Sequence, residues 1–185
     1  MSLDYAILGF LNYHPQSGYD LKKTFDVSVQ HFWSADQSQI YRTLARLTQQ
    51  GLVEVEKIRQ EDRPDRKVYH ITDTGRAALR EWISGPPPVS EPRSAPLIQV
   101  FFMGLISDEE ALERFERFAQ IMRMILVRYE DVPDAIEEIY QDVKSARERF
   151  FWQLTLENVL ANMRANLEWA ESVIERIRNG EVPPA

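Results

Sequence analysis

The amino-acid sequence predicts a mainly α protein in two parts: three helices with a two-stranded β-hairpin, then an all-α domain. Three observations carry that expectation. Five prolines fall among residues 85–96, a capped helical stretch is followed by two runs of alternating polarity, and an apolar seam of heptad spacing ends the chain. Proline fixes φ and lacks an amide hydrogen, so 85–96 reads as an extended linker between residues 1–84 and residues 97–185.

Each element has a local cause. Residues 3–11 form an apolar helix, which His14, Pro15, Gln16, Ser17 and Gly18 break before a second helix over 19–32. Asp36 with Gln39 makes a capping box for the third helix, and Gly51 is its C′ stop. Between these limits Ile40, Leu44 and Leu47 share one face. Residues 53–58 and 67–71 alternate as two strands joined by a polar tip. Thr72 caps a helix over 73–84. Beyond the linker, 96–105 is a short apolar helix, and Ser107 with Glu110 opens a helix to about Tyr129. One last helix is expected over 133–178. In it Leu156, Leu160, Met163, Leu167, Ala170, Ile174 and Ile177 form an a/d seam that needs a partner helix, so a homodimer is expected.

Composition is ordinary for a globular chain of 185 residues, with 44% hydrophobic and 28% charged side chains. The absence of cysteine excludes disulfides, thiolate metal sites and thiol nucleophiles. No apolar run approaches the roughly 20 residues of a membrane helix, and the start lacks the basic residues of a signal peptide. A cytoplasmic protein with no membrane association is expected.

The net charge of -7 argues at first against nucleic acid. Its distribution changes the argument: residues 1–84 hold 11 basic and 11 acidic side chains, whereas 85–185 hold 11 and 18. Opposite its apolar face the third helix presents Ser38, Arg42, Ala45, Arg46 and Gln49, flanked by Gln39 and Tyr41. Arg forks onto guanine, Gln onto adenine, and hydroxyls donate to phosphate oxygens. Polar residues suit a solvated face equally well, so the helical wheel leaves both readings open. In the hairpin, Arg59, Arg63 and Arg66 share the tip with Glu61, Asp62 and Asp65, and Lys57 and Lys67 stand at the strand ends. Three helices and a hairpin in this order make a winged helix-turn-helix, whose third helix enters a major groove about 12 Å wide. The expected partner is double-stranded DNA.

Enzyme readings find no support. His14, His31 and His70 are scattered without metal spacing, and the seven glycines form no phosphate loop or dinucleotide fingerprint. No catalytic residue, metal or cofactor is expected.

The run Tyr41-Arg42-Thr43-Leu44-Ala45-Arg46-Leu47-Thr48-Gln49-Gln50-Gly51-Leu52-Val53, followed by Arg66-Lys67-Val68-Tyr69-His70-Ile71-Thr72-Asp73-Thr74-Gly75, resembles the signature of PadR-like repressors. Ile7-Leu8-Gly9-Phe10-Leu11 and Gly18-Tyr19-Asp20-Leu21 fit it too. Phe150-Phe151-Trp152 and Glu168-Trp169 are similar to the larger subfamily with a long helical C-terminal domain. The resemblance implies repression, two-fold dimers joined through the C-terminal helices, and often release by a small aromatic or drug-like effector; the symmetry of such a dimer predicts a near-palindromic operator. It carries Tyr41, Arg42 and the wing cations over as DNA contacts. The wing tip departs from the family pattern, since Arg63-Pro64-Asp65 is stiffer and half acidic. Trp152 and Trp169 are the candidate effector contacts. The alternative is a winged helix used for protein contact on a helical scaffold, without specific DNA binding.

Overall fold

The computed structural model describes residues 2–30, 32–59, 66–88, 94–130 and 145–183. The chain forms two compact units, 1–88 and 89–185.

In the first unit, α1 (Ser2–Tyr13) leads into a short strand β1 (Gln16–Ser17) and then α2 (Gly18–Ser28). The strand was not expected. Two residues carry no periodicity, yet Gln16 and Ser17 pair with Tyr69 and Val68. The expected two-stranded hairpin is thus the larger part of a three-stranded antiparallel sheet. Gln16 is buried and satisfied: its Nε2 donates to the Phe10 carbonyl and its Oε1 accepts from the Thr24 hydroxyl. The second helix stops at Ser28, earlier than the expected 32, because the Ser28 hydroxyl donates back to the Thr24 carbonyl and the chain leaves through turns closed on Val29 O.

Helix α3 (Gln37–Gln49) has both halves of its capping box: Gln39 N donates to Asp36 Oδ1 at 2.7 Å, and Asp36 N to Gln39 Oε1 at 2.9 Å. Gly51, at φ 71°, ends it, and Leu52 N donates to Leu47 O. Strands β2 (Val53–Ile58) and β3 (Arg66–Ile71) follow, then α4 (Asp73–Ser84), whose cap Thr72 accepts from Gly75 N at 3.1 Å. The core of this unit gathers Ile7, Leu8 and Leu11 from α1, Leu21 and Phe25 from α2, Ile40, Leu44 and Leu47 from α3, and Val53, Tyr69 and Ile71 from the sheet. Each such aliphatic side chain contributes roughly 1.5–3 kcal/mol by leaving water. This core fixes which face of α3 remains outside.

In the second unit, α5 (Ala95–Phe101) is followed by a 3-10 turn (Met103–Leu105) and α6 (Asp108–Glu130). The expected helix over 96–105 is split because the chain tightens into i→i+3 bonds after Phe101. Helix α7 (Ala146–Arg178) begins at Ser145, whose hydroxyl accepts from Glu148 N. A single helix over 133–178 is therefore corrected at its start: Ser145 has extended backbone, which ends any helix running into it. Residues 131–144 lie outside the described ones.

Helices α6 and α7 bury Phe115, Ala119, Ala170 and Ile174 against each other, with Leu112, Leu167, Val173 and Ile177 packed around them. Ala119 and Ala170 are both fully buried, small enough to bring the backbones close. Arg123–Glu171 and Arg178–Glu116 ion pairs flank this contact. The expected dimer seam also has a partner within the chain. Leu167, Ala170, Ile174 and Ile177 meet α6 of their own chain, so the helix partner their spacing demands is supplied in cis. Leu156 is also buried, while Leu160 and Met163 stay partly exposed.

Candidate nucleic-acid interface

With Ile40, Leu44 and Leu47 fully buried, α3 turns Ser38, Gln39, Tyr41, Arg42, Ala45, Arg46 and Gln49 outward, all of them exposed. These residues share one face as the helical wheel expects, but their side chains are not equally available. Gln39 already spends its carbonyl oxygen on the Asp36 cap, which leaves its amide hydrogens. Arg46 forms an ion pair with Asp4 of α1. Among the described residues Arg42 makes one long bond, from Nε to Ser38 O at 3.4 Å, and its side chain is exposed. Tyr41 lies against the start of α2, where a Cβ on Gly18 would stand 2.5 Å from its ring. Glycine there is what lets the ring seat. Burial raises the Tyr69 phenol, with a further push from neighbouring Tyr41.

The sheet register explains the strand-end cations. Val53 faces Ile71, Val55 faces Tyr69, and Lys57 faces Lys67. These three pairs share one face of the pleat, since successive residues alternate sides. Its inner end is core and its outer end is two exposed ammonium groups directly opposite each other. Like charges so placed repel, at Cβ separations of about 5 Å, unless an anion sits between or over them. Arg59 is exposed beyond the end of β2. Arg63 lies outside the described residues.

Arg66 is held. Its guanidinium donates to Asp20 Oδ2 at 2.6 Å, and the Ser17 hydroxyl donates to the same oxygen at 2.6 Å. Burial alone would raise the Asp20 carboxyl, but Ser17 and the Arg66 charge outweigh it and hold it below its ordinary 3.8. The sign follows: a depressed carboxylate lends stability that is complete above the unfolded-state value and disappears as pH falls through the folded one. In thermal unfolding, the gap between the native chain and Asp20→Asn is expected to be constant near neutrality and to close only below pH 3.8. A gap that closes between about pH 5 and 7 would show that another group is responsible.

Sequence reasoning missed Asp4, Asp20 and Gly18 as the groups that orient this face. Asp4 and Arg46 are 42 residues apart and Asp20 and Arg66 are 46, beyond any local pattern. In the second unit, Trp169 is 38% exposed and meets Phe115 and Phe118 edge-on at 5.5 and 6.4 Å. Trp152 is partly buried on the first turns of α7. Among the described residues there is no group of three or more metal-ligating side chains, and no helix is long and apolar enough to cross a membrane.

Known proteins share this architecture. Residues 7–81 match the transcriptional regulator PadR-like family, and residues 92–178 match the virulence activator alpha C-terminal family. The negative transcriptional regulator PadR of Bacillus subtilis is 28% identical over 176 residues, 95% of this chain and 97% of that one. Its crystal structure with operator DNA superposes with a TM-score of 0.80 at 28% identity, over 96% of this chain and 99% of that chain. Its structure with p-coumaric acid gives 0.77 at 27% identity, over 96% and 99%. The virulence activator AphA of Vibrio cholerae gives 0.71 at 27% identity, over 96% and 98%.

Proposed function

The chain belongs to the PadR-like family of transcriptional regulators, which are not enzymes, and from that premise we propose a repressor that binds a near-palindromic operator as a homodimer. Residues 1–84 are the DNA-binding part, 85–96 the linker, and 97–185 the dimerisation and effector part, in a cytoplasmic protein. The observation that carries this reading is the Lys57–Lys67 pair on the sheet face that continues outward from the core of which α3 is part. Two opposed ammonium groups are unfavourable on a free hairpin and favourable on a phosphate backbone. Arg42 and Gln49 supply base-reading chemistry, and Ser38 and Tyr41 supply hydroxyls for phosphate.

Dimerisation follows from charge. A neutral DNA-binding half beside an acidic remainder gives one copy weak affinity, and two linked copies multiply their effective strength. Phe101 is 81% exposed and Leu105 84%, and on α7 Phe150 and Phe151 are at least half exposed. Apolar side chains this bare suit a second copy, joined by Leu160 and Met163 from the part of the seam not spent in cis. Two α3 helices would then enter successive major grooves roughly 34 Å apart. The B. subtilis relative, solved with operator DNA and with p-coumaric acid, supports operator binding and release by a small aromatic effector here.

Genome-wide recovery of bound DNA, followed by gel shift on the recovered site, tests the proposal. A near-palindrome bound at least a hundredfold more tightly than random DNA is expected. Equal affinity for both refutes it and leaves a protein-contact module. Replacing Leu160 and Met163 with Glu is expected to give monomers in sedimentation and at least tenfold weaker operator binding. A double variant that remains dimeric would remove this stretch of α7 from the interface.

A further inference from the structure

Two of the candidate DNA-contact arginines are already occupied by carboxylates of their own chain. On α3, Arg42 and Arg46 stand one helical turn apart on the outward face, yet their surroundings differ. Arg46 forms an ion pair with Asp4 of α1, whereas for Arg42, Lys57 and Lys67 there is no ion pair among the described residues. Beside Lys67, Arg66 repeats the pattern at the start of β3, where its guanidinium donates to Asp20 Oδ2 at 2.6 Å.

Both carboxylates are set to keep their charge and their place. Asp4 lies in the first turn of α1 and Asp20 in the first turn of α2, where the positive end of the helix dipole favours an anion. The Asp4 side chain is only 15% exposed, and Asp20 is fixed by the Ser17 hydroxyl, which donates to the same oxygen that Arg66 holds. The arginines are more open, with side chains 48% and 50% exposed. A phosphate oxygen therefore has access to each guanidinium but meets a carboxylate already seated there. Carboxylate and phosphate make the same charge-assisted hydrogen bonds to the guanidinium fork, so the two compete for one cation. Residues 1–84 carry 11 basic and 11 acidic side chains, so the cations paired internally decide how much positive charge is left for DNA.

We propose that Asp4 and Asp20 are internal counter-ions that stand in for DNA phosphates on Arg46 and Arg66, and so hold the DNA affinity of the first unit below what its cations could reach. This rests on the DNA binding proposed above. With no such rival among the described residues, Arg42, Lys57 and Lys67 engage DNA directly, while Arg46 and Arg66 do so only by exchanging one anion for another. Low affinity for random sequence follows, because non-specific binding is almost wholly electrostatic.

The test is fluorescence anisotropy of the full chain on random-sequence duplex DNA from low to moderate salt, with the recovered operator duplex in parallel. Asp4→Asn and Asp20→Asn are each expected to tighten binding to random DNA on the order of tenfold and to steepen the salt slope by about 0.9 per unmasked arginine. Glu81→Gln on α4 is the charge-matched control, since Glu81 has no ion pair among the described residues. Its long-range effect, screened by salt, should stay below about threefold. A double-mutant cycle ties the effect to the pair: with Arg46→Ala also present, Asp4→Asn is expected to lose most of its gain. A purely structural Asp4 would shift thermal unfolding without steepening the salt slope. Acid variants that gain no more than Glu81→Gln overturn the proposal, as does an Asp4→Asn gain that survives Arg46→Ala. Either result beside native operator binding removes the counter-ion role and leaves DNA binding standing. Failure of the native chain and every variant to bind any duplex at low salt overturns both.

Discussion

Lys57→Ala combined with Lys67→Ala is expected to weaken operator binding on the order of a hundredfold while leaving the fold as stable as before or slightly more so. The two effects have one cause. In the free protein the pair is a like-charge contact across antiparallel strands, unfavourable by a few tenths of a kcal/mol. On the proposed operator complex each ammonium would neutralise a phosphate, and a dimer would bring four of them. At roughly 0.7 kcal/mol per exposed contact the loss is about 2.8 kcal/mol. The slope of log affinity against log salt should become shallower by between three and four, at about 0.9 per phosphate. Affinity measured from low to moderate salt, beside thermal unfolding, reads both effects. An unchanged salt slope would take the wing off the phosphate backbone, and a drop in melting temperature would mean that the lysines serve the fold.

Gly75→Ala is expected to destabilise the first unit by about 3 kcal/mol, near the upper end for an overpacked site. A Cβ at Gly75 would overlap the Leu52 carbonyl oxygen and lie 2.8 Å from Ile71 Cγ1. Neither neighbour can yield: the Leu52 carbonyl accepts from Thr72 N at 3.1 Å, and Ile71 is paired with Val53 in the sheet. The Thr72 hydroxyl adds a bond to Gly51 O at 2.8 Å, so the α3 stop, the start of β2 and the cap of α4 meet at this point. Gly9→Ala is the control. A methyl group at Gly9 would have nothing within 4 Å of it, and as an interior helical residue alanine there should stabilise by about 0.5–1 kcal/mol. Urea denaturation of both variants should give shifts of opposite sign. Two small shifts of the same sign would mean that the junction around Leu52 is looser than its hydrogen bonds indicate.

What was legible in the sequence is whatever is written locally. Asp36, Gln39 and Gly51 announce both ends of α3 within a few residues of each end, and the alternation in 53–58 and 67–71 announces a hairpin. The outward face of α3 follows from Ile40, Leu44 and Leu47 alone. Contacts between distant segments were not legible. Nothing near Arg46 names Asp4, nothing near Arg66 names Asp20, and two residues of β1 are too few to show a period. The heptad seam illustrates a different limit. Spacing identifies the apolar face of a helix but not the molecule that covers it, and α6 covers Leu167, Ala170, Ile174 and Ile177 before any second copy arrives.

The Ala119–Ala170 closure has a bearing on regulation in time. Because the 167–177 stretch of the long helix is already sheltered within its own chain, that stretch does not depend on a neighbour to pack, and there association and folding would be separable events. If the homodimeric repressor proposed above forms in this way, it would exchange subunits without unfolding, and its dimer concentration at low abundance would rise with the square of the protomer concentration. Gene silencing would then switch on over a narrow range of expression level, a threshold set by helix packing inside a single chain.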